Sequence, residues 1–202
     1  MKQFLFLGDS ITDCGHAFDY EDLGEGYVRM IWNSFHLDGQ KVQVLNRGTD
    51  GFTIKNLKRF WNISHMKYKP DTINILIGIN DIAVMKNTGL DSEEGLSIFE
   101  KNYDELLTQI RETCDCPITL MEPFIFPRPA EFLNWMDDVR KMGEIIKGLA
   151  EKHNLIFIPL WDKLLNAAEE YGFNRITVDG IHLTKQGQKI LAKTWLDWYK
   201  EK

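Results

Sequence analysis

The sequence predicts an α/β fold in which a parallel, doubly wound sheet of five strands carries helices on both faces. Two observations support this prediction. The chain contains short apolar runs with the length of buried strands, and these alternate with longer segments whose apolar residues repeat with a helical period. The apolar runs predict strands at 3–8, 41–46, 72–78, 117–123 and 155–160.

The amphipathic segments predict five helices, each placed between two strands or after the last one. They cover 27–37, 53–63, 92–114, 135–154 and 185–200. Thr184 precedes the last of these segments and is suited to cap its N terminus. Because the crossover between two parallel strands is right-handed, successive helices cover the faces of the sheet.

Length and composition favour one globular domain over residues 1–202. The chain has 202 residues, of which 44% are hydrophobic and 27% charged, enough to form a sizeable core. No internal repeat, low-complexity tract or linker interrupts it. The segment 122–135, "EPFIFPRPAEFLNW", holds three of the six prolines. It is interpreted as a long loop or flap after the fourth strand, and its mobility stays open.

The charge balance argues against nucleic acid as a partner. Twenty-four basic and 30 acidic residues give a formal charge of −6, and no basic stripe stands out. A phosphate backbone or an anionic membrane surface is therefore a poor match. The apolar run near the start is too short for a signal peptide, and no run has the ~18 residues of a membrane span. We expect a cytoplasmic protein with no membrane insertion.

The three cysteines do not form a disulfide framework, because their number is odd and small. Cys114 and Cys116 are one residue apart, which suits neither a CxxC redox pair nor a zinc knuckle. All three are therefore expected to be free thiols in a reducing compartment. The sequence suggests no role for Cys14 beyond packing.

Polar turns follow the strands at the edge where ligands bind in this class of fold, the carboxyl ends of the strands. Ser10 follows the first strand, the segment 46–51 follows the second, and Asn80 follows the third. Asp179 and His182 lie beyond the fifth strand. Together these turns offer a hydroxyl, a carboxamide, a carboxylate, an imidazole and unobstructed amides. Those groups are the components of an acyl-transfer site.

Each of these residues has a chemical reason to be there. The Ser10 hydroxyl is a weak nucleophile until a base takes its proton, and the imidazole of His182 titrates in the right range. Asp179, three residues earlier, can bind the second ring nitrogen and stabilise the imidazolium. Asn80 can donate to a developing oxyanion without titrating, and Gly48 allows the backbone to approach closely.

Four blocks in this order resemble those of the SGNH (GDSL) hydrolase family of serine esterases and lipases. They are "GDSIT" at 8–12, "NRGTDG" at 46–51, "GIND" at 78–81 and "DGIHLT" at 179–184. The one departure is Ile11, where the older family name implies Leu, and the exchange is conservative. The blocks span nearly the whole chain. The GxSxG elbow of the α/β-hydrolases is absent.

The resemblance implies a flavodoxin-like three-layer α/β/α sandwich with a five-stranded parallel sheet. It also implies Ser10 as nucleophile, His182 as base and Asp179 as its orienting carboxylate. The oxyanion hole would consist of the backbone N–H groups of Ser10 and Gly48 and the side chain of Asn80. We expect no cofactor and no metal.

The predicted function is a serine esterase that cleaves small or medium acyl esters through an acyl-enzyme. A carbohydrate O-deacetylase and a short-chain lipase or esterase both remain open. The polar loop 13–26 favours a sugar, whereas Phe124 and Phe126 in the segment 122–135 could line an acyl pocket. The expected partner is a small-molecule ester. The sequence does not fix the oligomeric state, and a homo-oligomer is compatible with it.

Three other interpretations compete for the "GDSIT" turn. A non-catalytic flavodoxin-like protein could bind an anion or nucleotide there, but the turn lacks a P-loop lysine, and Asp9 and Asp13 would repel phosphate. A metallohydrolase using Asp9, Asp13 and His182 lacks clustered ligands. Ser10 could also cap a helix, yet the segment 14–26 shows little helical periodicity. The loop residue His16 has no assigned role.

Overall fold

A computed structural model describes residues 1–65 and 67–201 of the chain. Within this part, the strands are β1 (Lys2–Gly8), β2 (Val42–Gly48), β3 (Thr72–Leu76), β4 (Ile118–Met121) and β5 (Ile156–Ile158). They form a parallel sheet in the order β2-β1-β3-β4-β5. This is the flavodoxin-like order, so the predicted fold class is confirmed.

The predicted helices are confirmed, and further ones accompany them. The helices are α1 (Ser10–Asp13), α2 (Tyr27–Leu37), α3 (Ile54–Phe60), α4 (Ile79–Thr88), α5 (Ser92–Thr113), α6 (Met136–Lys152), α7 (Trp161–Tyr171), α8 (Phe173–Ile176) and α9 (Lys185–Lys200). The sequence prediction missed α1, α4, α7 and α8. The apolar residues of α4 form no broad stripe, whereas α7 does bury one apolar face. Thr184 caps α9 as predicted, accepting from the Gly187 N–H. Among the helices described, none is long and apolar enough to cross a membrane.

The first strand is apolar throughout because helices cover both faces of the sheet. Its core residues Phe4 to Leu7 are at most 1% exposed. The Phe4 ring stacks on Phe35 of α2 and meets the edge of Trp195 of α9. Helices α2 and α9 pack against each other, and α3, α5 and α6 form the second group of packed helices. The strand β1 is thus a buried support for whatever follows it.

The expectation of three free thiols is wrong for two of them. Cys114 and Cys116 form a disulfide, with their Cα atoms 5.4 Å apart. Cys114 ends α5 in an extended conformation, and the chain turns there, which brings the two Cα atoms into bonding range. Rules based on CxxC spacing do not capture such a turn. Cys14 is a free thiol.

Candidate active site

The Ser10 side chain stands at the end of a central strand. Strand β1 ends at Gly8 and α1 begins at Ser10, so Asp9 is the residue between them. Asp9 is 1% exposed and caps α1 by accepting the Ile11 N–H at 3.0 Å. Because Asp9 does the capping, the Ser10 hydroxyl is available for another partner.

That partner comes from a turn that lies outside the sheet. Residues 177–183 connect α8 to α9 and are closed by an antiparallel bridge. The Thr177 hydroxyl donates to the carbonyl of His182 at 2.9 Å and accepts the Gly180 N–H at 2.8 Å. The Asp179 carboxylate accepts two backbone N–H groups, including that of His182 at 2.7 Å. The turn therefore orients its own imidazole and carboxylate.

The two turns meet through hydrogen bonds between side chains. Ser10 Oγ lies 2.9 Å from His182 Nε2, and His182 Nδ1 lies 2.6 Å from Asp179 Oδ2. The side chains of His182 and Asp179 are 48% and 49% exposed. The structure thus joins the three predicted residues into one chain at an open surface, where a proton can pass from the hydroxyl to the imidazole.

The pKa values of the two carboxyl groups near Ser10, those of Asp179 and Asp9, are shifted in opposite directions. Partial burial acts to raise the pKa of Asp179, but hydrogen bonds from the His182 side chain and from two backbone N–H groups hold it below its usual value. Burial raises the pKa of Asp9 to about 7, against the lowering effect of the Ile11 N–H and of His182. Asp179 is therefore the carboxylate that stays ionised at neutral pH beside the imidazole.

The prediction for Gly48 as an oxyanion donor is contradicted. Its N–H already donates to Asn46 Oδ1 at 3.0 Å. A Cβ at this position would lie 2.3 Å from the Asp13 backbone nitrogen, so the glycine serves close packing of two backbones. The Gly48 N–H is unavailable because the side chain of Asn46, two residues earlier, folds back and accepts it.

Gly51 has the free amide that Gly48 lacks. In the described ranges the N–H groups of Gly51 and Ser10 have no protein acceptor. Gly51 lies between Asp50, whose N–H donates to the carboxylate of Asp13 at 3.0 Å, and Phe52, whose carbonyl accepts from the side chain of Asn80. The φ of Gly51 is +73°, in the left-handed region that favours glycine.

Asn80 lies in the first turn of α4. Its Nδ2 donates to the Phe52 carbonyl at 3.0 Å, which leaves one amide hydrogen for another acceptor. The next residue, Asp81, anchors the loop by accepting the Ile54 N–H at 3.0 Å. Burial, with a contribution from Asp9, raises the pKa of Asp81 to about 7. Asn80 is thus held close to the loop that contains Gly51.

The prediction that Phe124 and Phe126 line an acyl pocket is also contradicted. Each is 1% exposed. Their rings contact each other at 6.0 Å, and Phe126 also packs against Phe173 at 6.2 Å. Both rings belong to the core, because the segment that follows β4 directs these side chains toward the interior. The periodicity of the sequence does not reveal which way these side chains point.

The segment 122–135 instead supports the turn that holds His182. The Phe126 N–H donates to the Gly180 carbonyl at 2.9 Å. Gly180 has a φ of +97°, and a Cβ there would lie 1.7 Å from the carbonyl oxygen of Arg128. No side chain fits at this contact. The flap and the turn are therefore packed backbone to backbone.

His16 joins the loop after α1 to the second block. Its Nδ1 lies 2.6 Å from Asp22 Oδ1 and its Nε2 lies 3.0 Å from the Gly48 carbonyl. Arg47 also binds Asp22, at 2.7 Å. Because both ring nitrogens are engaged, His16 acts as a structural bridge.

Cys14 links the nucleophile turn to the last helix. Its thiol donates to the Ile11 carbonyl at 3.3 Å and accepts from Gln188 Nε2 at 3.3 Å. Burial raises the thiol pKa to about 12, so the group is a poor nucleophile. Sequence reasoning could not find this contact, because Gln188 lies 174 residues away.

A serine with an unpaired backbone amide, an imidazole and a carboxylate, joined at the carboxyl edge of a parallel sheet, form the arrangement of a serine hydrolase. The profile of the GDSL-like lipase/acylhydrolase family matches residues 6–190, and the chain belongs to this family. It is a carboxylic ester hydrolase.

Known proteins resemble the chain over nearly its whole length. An acetylxylan esterase from Geobacillus stearothermophilus is 29% identical over 209 residues, covering 96% of this chain and 92% of the relative. A solved structure of the acetylxylan esterase Axe2 from that organism has a TM-score of 0.84 at 26% identity, with 97% and 93% of the two chains covered. A structure assigned as a GDSL-like lipase from Parabacteroides merdae has a TM-score of 0.88 at 27% identity, covering 97% and 94%.

Proposed function

We propose that this protein is a carbohydrate acetylesterase that removes acetyl groups from sugar hydroxyls through an acyl-enzyme on Ser10. The observation that carries the proposal is the chain of hydrogen bonds from Ser10 Oγ to His182 at 2.9 Å and on to Asp179 at 2.6 Å. The expected substrate is a small ester. No cofactor is needed for this chemistry.

Acylation begins with the Ser10 hydroxyl. His182 Nε2 takes the hydroxyl proton as Oγ attacks the acetyl carbonyl, and the ring becomes an imidazolium. Asp179, with its lowered pKa, remains negative and stabilises that charge through Nδ1. His182 then returns the proton to the sugar oxygen as the ester bond breaks. Water, deprotonated by the same imidazole, hydrolyses the acetyl-enzyme and frees Ser10.

The oxyanion formed at each step needs donors that are not already paired. The Ser10 N–H, the Gly51 N–H and the second amide hydrogen of Asn80 meet that requirement. Gly51 replaces Gly48 in this proposal because the Gly48 amide binds Asn46. Loss of one such donor typically costs ~10²–10³ in rate.

Two observations favour a short acyl group on a bulky alcohol. His182 and Asp179 are half exposed, so a large sugar can approach them from solvent. Phe124 and Phe126 lie in the core and offer no apolar wall for a long acyl chain. The similarity to acetylxylan esterases supports the same substrate class.

The test is a comparison of esters on the wild-type protein and two variants. We expect acetate to be preferred over octanoate in a p-nitrophenyl ester panel, and acetylated xylo-oligosaccharides to release acetate. Ser10→Ala should lower kcat by at least ~10³. The matched control Ser97→Ala changes an exposed serine of α5 and should keep wild-type rates. Preference for octanoate, or near-normal turnover by Ser10→Ala, would contradict the proposal.

A further inference from the structure

A cavity of about 590 Å³ opens between α2 and α9, beside the candidate site. Leu183 in its wall directly follows His182, and Cys14 lies one helical turn past Ser10, roughly 6 Å along the helix. The volume lies within the usual range of ligand pockets. Its lining includes Cys14, Glu25, Met30, Asn33, Leu183 and Lys185.

Three polar side chains at this cavity are unused by the protein itself. Glu25, Asn33 and Lys185 are exposed, and their side chains make no hydrogen bond or ion pair within residues 1–65 and 67–201. Arg29 differs, because its guanidinium pairs with two carboxylates, Asp19 and Glu21. The cavity thus offers a free acceptor, a free donor and an amide that can do both.

The cavity lining also contains apolar surface and one buried polar side chain held by hydrogen bonds. Met30 and the 8%-exposed Leu183 contribute apolar surface. Gln188, also in the lining, is 5% exposed, and it accepts the Tyr27 N–H at 2.9 Å while donating to the Cys14 thiol. Sugars present C–H faces and a rim of hydroxyls that both donate and accept. Apolar surface with donors and acceptors around it matches that chemistry.

We infer that this cavity is a subsite for the sugar units next to the acetylated one. The ligand is a neutral, polyhydroxylated oligosaccharide whose ester lies at Ser10 and whose neighbouring units extend over Leu183. This inference rests on the proposed acetylesterase function. It adds to that function the place where the neighbouring sugar units bind and the side chains that contact them.

Kinetics on two substrates test the subsite. Asn33→Trp fills the cavity and Lys185→Ala removes its free ammonium, and both positions are exposed and should tolerate change. We expect each to lower kcat/KM for an acetylated xylo-oligosaccharide roughly tenfold more than for p-nitrophenyl acetate, mainly through KM. Lys193→Ala is the control on the same helix, outside this cavity, and both of its rates should stay within about twofold of wild type.

Binding without chemistry separates this inference from the proposed function. Unacetylated xylotetraose is titrated calorimetrically into Ser10→Ala protein and into Ser10→Ala with Asn33→Trp. Binding that the second change weakens by about tenfold or more supports the subsite, whatever the esterase assays show. Equal binding by both, or an equal loss of rate on the two substrates, overturns the subsite. Failure of wild-type protein to cleave any acetyl ester would overturn the proposed function instead.

Discussion

The two turns that meet at the candidate site are held in opposite ways. Ser10 follows a central strand and rests on Asp9, a carboxyl group that is 1% exposed and whose pKa is raised to about 7. His182 stands on a turn outside the sheet, beside the half-exposed Asp179, whose pKa is lowered. One turn is supported by the core of the sheet, the other by hydrogen bonds of its own and by the segment 122–135.

This difference shows which part of the site a given change affects. The nucleophile turn is fixed by burial, so changes there alter folding stability together with chemistry. The His182 turn depends on a few backbone contacts, such as the one between Phe126 and Gly180. Changes at those contacts should therefore displace the base while leaving the sheet intact.

The largest effect is expected at the carboxylate of the exposed turn. Asp179→Asn keeps the shape but cannot stabilise the imidazolium, and it favours the wrong ring tautomer. We expect kcat to fall by roughly 10³–10⁴ with little change in thermal stability. Asp162→Asn, at a side chain that is 75% exposed on α7, is the matched control. A loss below tenfold would show that His182 does not depend on Asp179.

A change in the segment under that turn should act on stability first. Phe126→Ala removes a ring that packs against Phe124 and Phe173, and we expect a loss of about 3–5 kcal/mol in the free energy of unfolding. Urea denaturation measures it. The preference among acyl lengths should be that of the wild type, because this ring is buried. A change in acyl-length preference would show that the Phe126 ring does contact the acyl group.

Gly180→Ala tests the backbone contact between the segment 122–135 and the turn that holds His182. The new methyl group would collide with the Arg128 carbonyl, and the backbone φ of +97° disfavours any side chain. A displacement of about 1 Å in the imidazole can cost ~10² in kcat. Gly148→Ala is the control, since a Cβ there meets no atom within 4 Å and the residue lies inside α6. It should stabilise the protein by about 0.5–1 kcal/mol.

The smallest effect is expected from the buried carboxyl group beside the nucleophile. The folded-state pKa of Asp9 is about 7, above the unfolded value of 3.8, so the folded state binds more protons between these pH values. Stability should therefore fall as pH rises from about 4 to 7. Asp9→Asn still accepts the Ile11 N–H and should be more stable than the wild type at pH 8, with a flatter pH profile in urea titrations. An unchanged profile would show that Asp9 ionises freely in the folded protein.

The sequence anticipated the elements with strong patterns and the residues with distinctive chemistry. The apolar run of β1 required burial on both faces, and Ser10, Asp179 and His182 follow from their chemistry and their positions after predicted strands and turns. The helix α4 escaped prediction because its apolar residues are scattered. The sequence did not predict whether the Phe124 and Phe126 side chains point into the core or into a pocket, since an aromatic ring suits both equally.

The choice between Gly48 and Gly51 shows where sequence reasoning ends. Both glycines occur in the same block, and either could leave an amide open. The sequence by itself determined the parallel α/β class and the chemical groups at the strand ends, because hydrophobic period and side-chain chemistry are local properties. Only the tertiary structure decided that Asn46 occupies the amide of Gly48, that Gly51 keeps a free amide and that a cavity opens beside Leu183. Those outcomes depend on which distant groups become neighbours, and that is settled by packing.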